Sequence, residues 1–321
     1  MPTVPGMKRP LVFSLAALVA VAVLPAVSAT PATAAFPGRN ARIVFVRSGV
    51  PNSKSEIQSM TAQGNGLLNL TNTPLIEDRD PAWSPDGKRI AFRRVETGPD
   101  QLWVMNADGT GLTVVPGSGA ARYPAWSPDG KRLVYECFES QSPYTGHICL
   151  REVTGGGFTL LSAAAGADDT HPAWSPDGTR IVWSREFAAG GSHLIVLTLK
   201  NLSLDLLTPP VVGDYDSHPD WSPDSKQVVF SRNPAGVTGA SIYRIPAGGN
   251  GAAQLVVGPP SVFDSHYTMP VWSPDGKQIA YVHLDDDEGW GNIYTITPDG
   301  KDNTQLTFGA TTDRNIDWGA T

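Results

Sequence analysis

The sequence predicts an all-β fold, a six-bladed β-propeller of four-stranded antiparallel blades, and three observations predict it. Trp-Ser-Pro-Asp recurs at Trp83, Trp126, Trp174, Trp221 and Trp272, with a degenerate copy at Trp318, giving a mean period of about 47 residues. A fixed period of roughly 40 to 50 residues with strand-like content marks propeller blades. A short β-branched or aromatic run follows each complete copy, as in Ile90-Ala91-Phe92, Leu133-Val134-Tyr135, Ile181-Val182-Trp183, Val228-Val229-Phe230 and Ile279-Ala280-Tyr281, and such runs are strand signals. With 33 Gly, 28 Pro and only 17 % charged residues, the composition suits many short strands joined by tight turns.

At the N-terminus, Lys8 and Arg9 precede an apolar run over residues 11–24. Small-residue sites follow at Val27-Ser28-Ala29 and Thr33-Ala34-Ala35, which is the layout of an export signal. The run falls short of the ~20 residues that span a bilayer. Residues 1–35 are therefore expected to be a cleaved secretory signal peptide, with the cut after Ala29 or Ala35, and residues 36–321 the propeller. The expected location is extracytoplasmic, in the periplasm or cell wall, with no transmembrane segment in the mature chain.

Within each repeat the first strand ends at the motif Trp and the second is the apolar triplet, the earliest being Ile43-Val44-Phe45. The third includes Leu102-Trp103-Val104-Met105, Ile242-Tyr243-Arg244-Ile245 and Ile293-Tyr294-Thr295-Ile296, and the fourth is a short run such as Gln305-Leu306-Thr307. Ser-Pro-Asp-Gly between the first two strands makes a tight turn: Pro presets φ, Asp bonds back to nearby N–H groups, and Gly accepts φ > 0. Ser225 replaces that Gly in the fourth copy and is expected to strain or reshape its turn. The motif Trp side chains are read as core between blades. Ile43-Val44-Phe45 lacks a preceding Trp strand and Trp318 lacks a following one. The C-terminal strand is therefore expected to join the N-terminal blade and close the ring, which removes free edges. Cys137 and Cys149 fall on adjacent strands; directly opposed residues there meet disulfide geometry, export favours oxidation, and a disulfide is expected.

With the repeat laid out, the chain resembles the TolB-type β-propeller family. The resemblance rests on Pro-Ala-Trp-Ser-Pro-Asp-Gly-Lys-Arg at 81–89 and 124–132, on Pro-Ala-Trp-Ser-Pro-Asp-Gly at 172–178, and on the Leu-Thr ends at Leu70-Thr71, Leu207-Thr208 and Leu306-Thr307. It covers about residues 40 to 318. TolB itself carries an α/β domain ahead of its propeller and acts in envelope integrity; with only the signal region before the first blade, that domain is expected to be absent here. More distantly the chain resembles oligogalacturonate lyases, in which the propeller holds a metal through His residues.

Strands alternate in direction, so the Ser-Pro-Asp-Gly turns share one face and the longer irregular loops share the other, where loops on a rigid scaffold carry function. Residues just before each motif Trp are expected to rim the central channel on the irregular face: Arg79 and Asp80, Arg122 and Tyr123, His171, His218, His266 with Tyr267, and Arg314 with Asn315. His171, His218 and His266 are a candidate metal set, because neutral imidazole suits Zn, Mn or Ni. The competing reading is that each Asp-Thr/Ser-His string pins its own loop. The acidic run at 285–288 is read as a solvated loop on the same face, with calcium binding the alternative.

A net charge of −7 argues against phosphate-backbone binding as the main activity. The sequence contains no Gly-x-Ser-x-Gly elbow, no His-Glu-x-x-His and no phosphate-binding Gly-Lys-Ser/Thr loop. The expectation is a secreted, non-catalytic, monomeric binding module without a cofactor, taking an extracellular or envelope protein or a polar ligand through the irregular face. The alternative is a metal-dependent polysaccharide lyase or hydrolase, with His171, His218 and His266 at the channel mouth and the rim arginines holding carboxylates bidentately.

Overall fold

The computed structural model describes residues 38–49, 53–96, 98–139, 142–162, 166–258, 265–285 and 290–321. The expected signal segment, Asp264 and residues 286–288 of the acidic run lie outside them. Among the described residues there are 24 strands and no helix.

β1 (Asn40–Ser48) pairs antiparallel with β2 (Glu56–Thr61), which pairs with β3 (Leu68–Asn69). β4 (Glu77–Trp83), β5 (Arg89–Val95), β6 (Gln101–Asn106) and β7 (Thr113–Val114) then form one antiparallel sheet in chain order. β8 (Ala121–Trp126), β9 (Arg132–Glu139), β10 (Ser142–Glu152) and β11 (Thr159–Leu160) form a second. The pattern continues in β12 (Ala167–Trp174), β13 (Arg180–Phe187), β14 (Ser192–Thr198) and β15 (Ser203–Leu206). It repeats in β16 (Tyr215–Trp221), β17 (Gln227–Asn233), β18 (Ser241–Pro246) and β19 (Gln254–Val257), and again in β20 (Ser265–Trp272), β21 (Ile279–Asp285), β22 (Trp290–Ile296) and β23 (Thr304–Gln305). β24 (Thr312–Ala320) lies antiparallel to β1, with Trp318 opposite Ile43 and Asp313 opposite Arg47.

Two sheets thus have four strands and two have eight, and no sheet closes on itself. Each eight-stranded sheet is two four-stranded units joined by one parallel bridge, Ser192 to Tyr215 in one and Gly291 to Thr312 in the other.

Burial explains the repeat. Each motif Trp is buried in a cluster drawn from two neighbouring units: Trp126 with Ala91 and Val104 of one and Leu133 and Tyr135 of the next, Trp221 with Val182 and Val196 of one and Val228 and Phe230 of the next. Trp318 packs with Ile43, Phe45 and Met60 at the start of the chain and with Ala280, Val282 and Ile293 near its end. The fully buried aromatic at the end of each second-strand triplet (Phe92, Tyr135, Trp183, Phe230, Tyr281) supplies the bulk between units, and such side chains dominate core energetics. Arg89 and Arg180 also lay their guanidinium groups 4.5 Å over the rings of Trp126 and Trp221, a contact that attracts through the ring quadrupole.

The turns behave as their residues dictate. In the first, Gly87 N donates to Ser84 O at 2.9 Å, and Asp86 Oδ1 accepts from Ser84 Oγ at 2.7 Å and from Lys88 N at 3.1 Å. Ser225 keeps that shape: its N donates to Ser222 O at 2.8 Å with φ of 58°. The expected departure is one of strain alone, a side chain held where glycine is at ease. Cys137 and Cys149 are disulfide-bonded, with Cα atoms 5.9 Å apart. They are diagonal rather than directly opposed, because Cys137 faces His147 and Cys149 faces Tyr135; diagonal neighbours two positions apart still share one face of the sheet.

Candidate functional site

The first strand of each unit meets its neighbour with a bulge just before the motif Trp, for example between Arg79 and Ala82, Thr170 and Ala173, and Thr268 and Val271. At that bulge one non-glycine residue per unit takes a left-handed backbone: Asp80, Tyr123, His171, His218, Met269 and Asn315, all with φ between 48° and 54°. None is β-branched, in keeping with the steric cost of that region. Bulges re-aim side chains, and here all six residues line one cavity of about 140 Å³, on strands β4, β8, β12, β16, β20 and β24.

A repeated ion pair holds the bulges. Asp78, Asp169 and Asp216 each accept two hydrogen bonds from an arginine 16 residues on, Arg94, Arg185 and Arg232, at 2.6–2.8 Å. Asp313 takes the same bidentate contact from Arg47 across the two ends of the chain, at 2.7 Å. Planar two-point contacts of this kind fix orientation as well as charge. Two units lack the pair. In one the register partners are Ala121 and Cys137, and in the other Tyr267 and His283, whose rings meet edge-on at 4.7 Å.

The six left-handed side chains make a collar. Tyr123 and His171 have ring centroids 4.0 Å apart, and His171 and His218 3.8 Å. Asn315 N donates to Met269 Sδ at 3.2 Å, and Asn315 Nδ2 donates to Asp80 Oδ1 at 2.9 Å. Burial holds the His171 imidazole well below its ordinary pKa, helped by His218, and brings His218 down to about 4; both are neutral at neutral pH. Burial pushes the Asp80 carboxyl and the Tyr123 hydroxyl up, Asp80 against the pull of Arg93. Below the collar Asp317 accepts from Trp83 N at 2.6 Å and Asp220 from Trp272 N at 2.7 Å. Burial raises these two carboxyls to about 6 and about 7.

Around the collar stands a charged rim. Arg79 Nε donates to Glu77 at 2.6 Å, Arg93 reaches Asp100 at 2.6 Å, and Arg122 lies 3.8 Å from Asp100 and 4.7 Å over the Phe138 ring. The Arg314 guanidinium is eased downward in pKa by burial and by the like charge of Arg79. Burial raises Glu136 to about 7, and it accepts from Thr170 Oγ1. That oxygen is 3.1 Å from His171 Nδ1. When Glu136 is ionised the Thr170 hydrogen goes to it, and the Thr170 oxygen then accepts the His171 Nδ1–H. This imidazole–hydroxyl–carboxylate chain positions His171.

Of the residues expected at the rim, Asp80, Tyr123, His171, His218 and Asn315 line the cavity, and Arg79, Arg122 and Arg314 each sit one residue before the collar. His266 is elsewhere: its Nδ1 accepts from Ala240 N at 3.1 Å, and Met269 occupies the position equivalent to His171 and His218. The candidate three-histidine set is therefore brought together only as a pair. Among the described residues no group of three or more His, Cys, Asp or Glu side chains is placed to hold a metal. The position of Met269 was available by counting back from Trp272, since His171, His218 and Met269 stand at the same distance before their tryptophans. The Asp–Arg pairs were missed, although the Asp and Arg recur 16 residues apart.

A family model described as the TolB beta propeller domain matches residues 120–317. No curated protein matches the chain. Among solved structures, TolB from Acinetobacter baumannii superposes with a TM-score of 0.76 at 18 % identity, over 89 % of this chain and 68 % of that one. A putative TolB from Agrobacterium tumefaciens gives 0.65 at 18 % identity, over 88 % and 99 %. An oligogalacturonate lyase from Vibrio parahaemolyticus gives 0.56 at 13 % identity, over 82 % and 78 %. At such identities these likenesses establish shared fold and nothing further.

Proposed function

The chain belongs to the TolB beta propeller domain family, and from that premise we propose that it is a non-catalytic binding module, a closed ring of six blades that engages its partner through the collar and its arginine rim. The observation that carries the reading is the contrast between the two ends of the first strands. The Ser-Pro-Asp turns are near copies of one another, whereas the six equivalent left-handed positions hold Asp, Tyr, His, His, Met and Asn. Repeats that keep the backbone and vary the side chain at one ring of positions build an asymmetric surface on a rigid frame.

Closure is supported by the antiparallel pairing of β24 with β1 and by the Trp318 cluster that joins the two ends of the chain. An extracytoplasmic location, with residues 1–35 removed, is supported by the basic and apolar N-terminal segment and by the Cys137–Cys149 disulfide. No helix among the described residues is long and apolar enough to cross a membrane. The rim suits an envelope or extracellular protein, or a polar ligand, offering carboxylates to Arg79, Arg122 and Arg314, and one copy of the chain supplies the whole collar, as a monomer requires.

The test is capture from an envelope extract by the immobilised protein beside a variant carrying Arg79→Glu, Arg122→Glu and Arg314→Glu. A defined partner lost by the variant, with its circular dichroism unchanged, is the expected result. Equal capture by both would move the binding surface away from this rim.

A further inference from the structure

We propose that His171, His218 and Met269 form a transition-metal site at the collar, suited to copper in its reduced state. The three residues stand at equivalent left-handed positions on β12, β16 and β20, consecutive around one cavity. The His171 and His218 rings pack with centroids 3.8 Å apart. Each Nδ1 is held by the hydroxyl of the preceding residue, Thr170 at 3.1 Å and Ser217 at 3.0 Å. A hydrogen bond at one ring nitrogen is what fixes the other as a metal ligand. With Glu136 ionised the Thr170 hydrogen goes to that carboxylate, and in that state Nδ1 of His171 carries the proton and Nε2 presents its lone pair. That Nε2 is buried with no hydrogen-bond partner, an arrangement proteins seldom leave unused.

Met269 supplies what His266 was expected to supply, with a different chemistry. Its sulfur stands at the collar, 3.2 Å from Asn315 N, and its neighbours on the ring are His218 and Asn315. Two imidazole nitrogens and a thioether make an uncharged, soft ligand set. Thioether and imidazole favour Cu(I), whereas Mg, Ca and Mn want carboxylate and carbonyl oxygen. The site is tested apart from the partner-binding reading: the metal titration changes residues of the collar itself, and the capture experiment only the arginines of its rim.

The test uses the metal alone. The protein is titrated with Cu(I), held reduced by ascorbate so that the Cys137–Cys149 disulfide is left intact, in competition with a chromogenic Cu(I) chelator. One equivalent per chain is expected, lost in a His171→Asn, His218→Asn variant and weakened about 10-fold or more in Met269→Leu, a change that keeps core volume. X-ray absorption of the copper-loaded wild-type protein is expected to show nitrogen and sulfur neighbours, a readout that needs no variant to fold. Absence of binding by the wild type would overturn the proposal. So would copper bound equally well by the histidine variant, or a copper environment without sulfur.

Discussion

Asp216 and Arg232 show at the scale of single residues how this fold spends its charges. The carboxylate is fully buried and both of its oxygens are taken by one guanidinium, at 2.6 and 2.7 Å. Deleting one member of such a pair strands the other without water and costs about 3–5 kcal/mol, whereas replacing both with apolar groups of similar volume is often near neutral. The chain already contains the double replacement, since Ala121 and Cys137 occupy this position in another unit. Arg232→Leu alone is therefore expected to destabilise by about 3–5 kcal/mol in urea unfolding. Asp216→Leu combined with Arg232→Leu is expected to recover most of that loss. A double variant as unstable as the single would mean that the carboxylate's contacts to arginine are not what the single change removes. The pairs were present in the sequence only as a spacing of Asp and Arg. Reading them as contacts needs the strand register across a bulge, and no local pattern of residues supplies it. The same gap misplaced His266: the string Asp-Ser-His resembles its neighbours in residue type, but the bulge is counted from the tryptophan, which puts Met269 in the ring.

At the scale of elements, the Ser-Pro-Asp-Gly turn was fully legible, because Pro, Asp and Gly each act through local geometry. Its surroundings were not. Gly87 and Gly130 have the same φ of 64°, so the conformational cost of alanine is the same at both, about 1–2 kcal/mol. The space differs. A Cβ on Gly87 would come 2.2 Å from Ala320 O on β24, whereas on Gly130 the nearest atom is Arg89 Nη2 at 3.5 Å, the end of a flexible side chain. Gly130→Ala is expected to lower stability by about 1–2 kcal/mol and Gly87→Ala by at least twice that, measured as the shift in urea midpoint at constant m-value. Equal losses would mean that the first turn does not press on the C-terminal strand. The disulfide belongs to this scale too. Its two cysteines were legible as strand neighbours, but their diagonal offset follows from the register of β9 and β10, which the sequence does not display.

For the whole molecule the decisive contact is between the two ends of the chain. β24 brings Ile316 and Trp318 into the cluster of Ile43, Phe45 and Met60, gives Arg47 its only bidentate partner among the described residues, and places Asp317 under Trp83 N and Asn315 against Asp80. Removing residues 312–321 would strip all of these at once. It would also expose β1 as a free edge with unpaired N–H and C=O groups, and such edges recruit other chains. The repeated units bury their faces against one another, so losing the β24–β1 interface leaves the apolar faces on both sides of it uncovered. The truncated chain is therefore expected to lose its cooperative thermal transition and to elute from size exclusion as soluble aggregate, while the Arg→Glu rim variant elutes as the full chain does, with an unchanged transition. A truncated chain that elutes with the full chain and melts within a few degrees of it would mean that the fold does not need its last strand. The pairing of β24 with β1 would then add little to stability, and the asymmetric collar would have to be held in place by the interfaces between the other units.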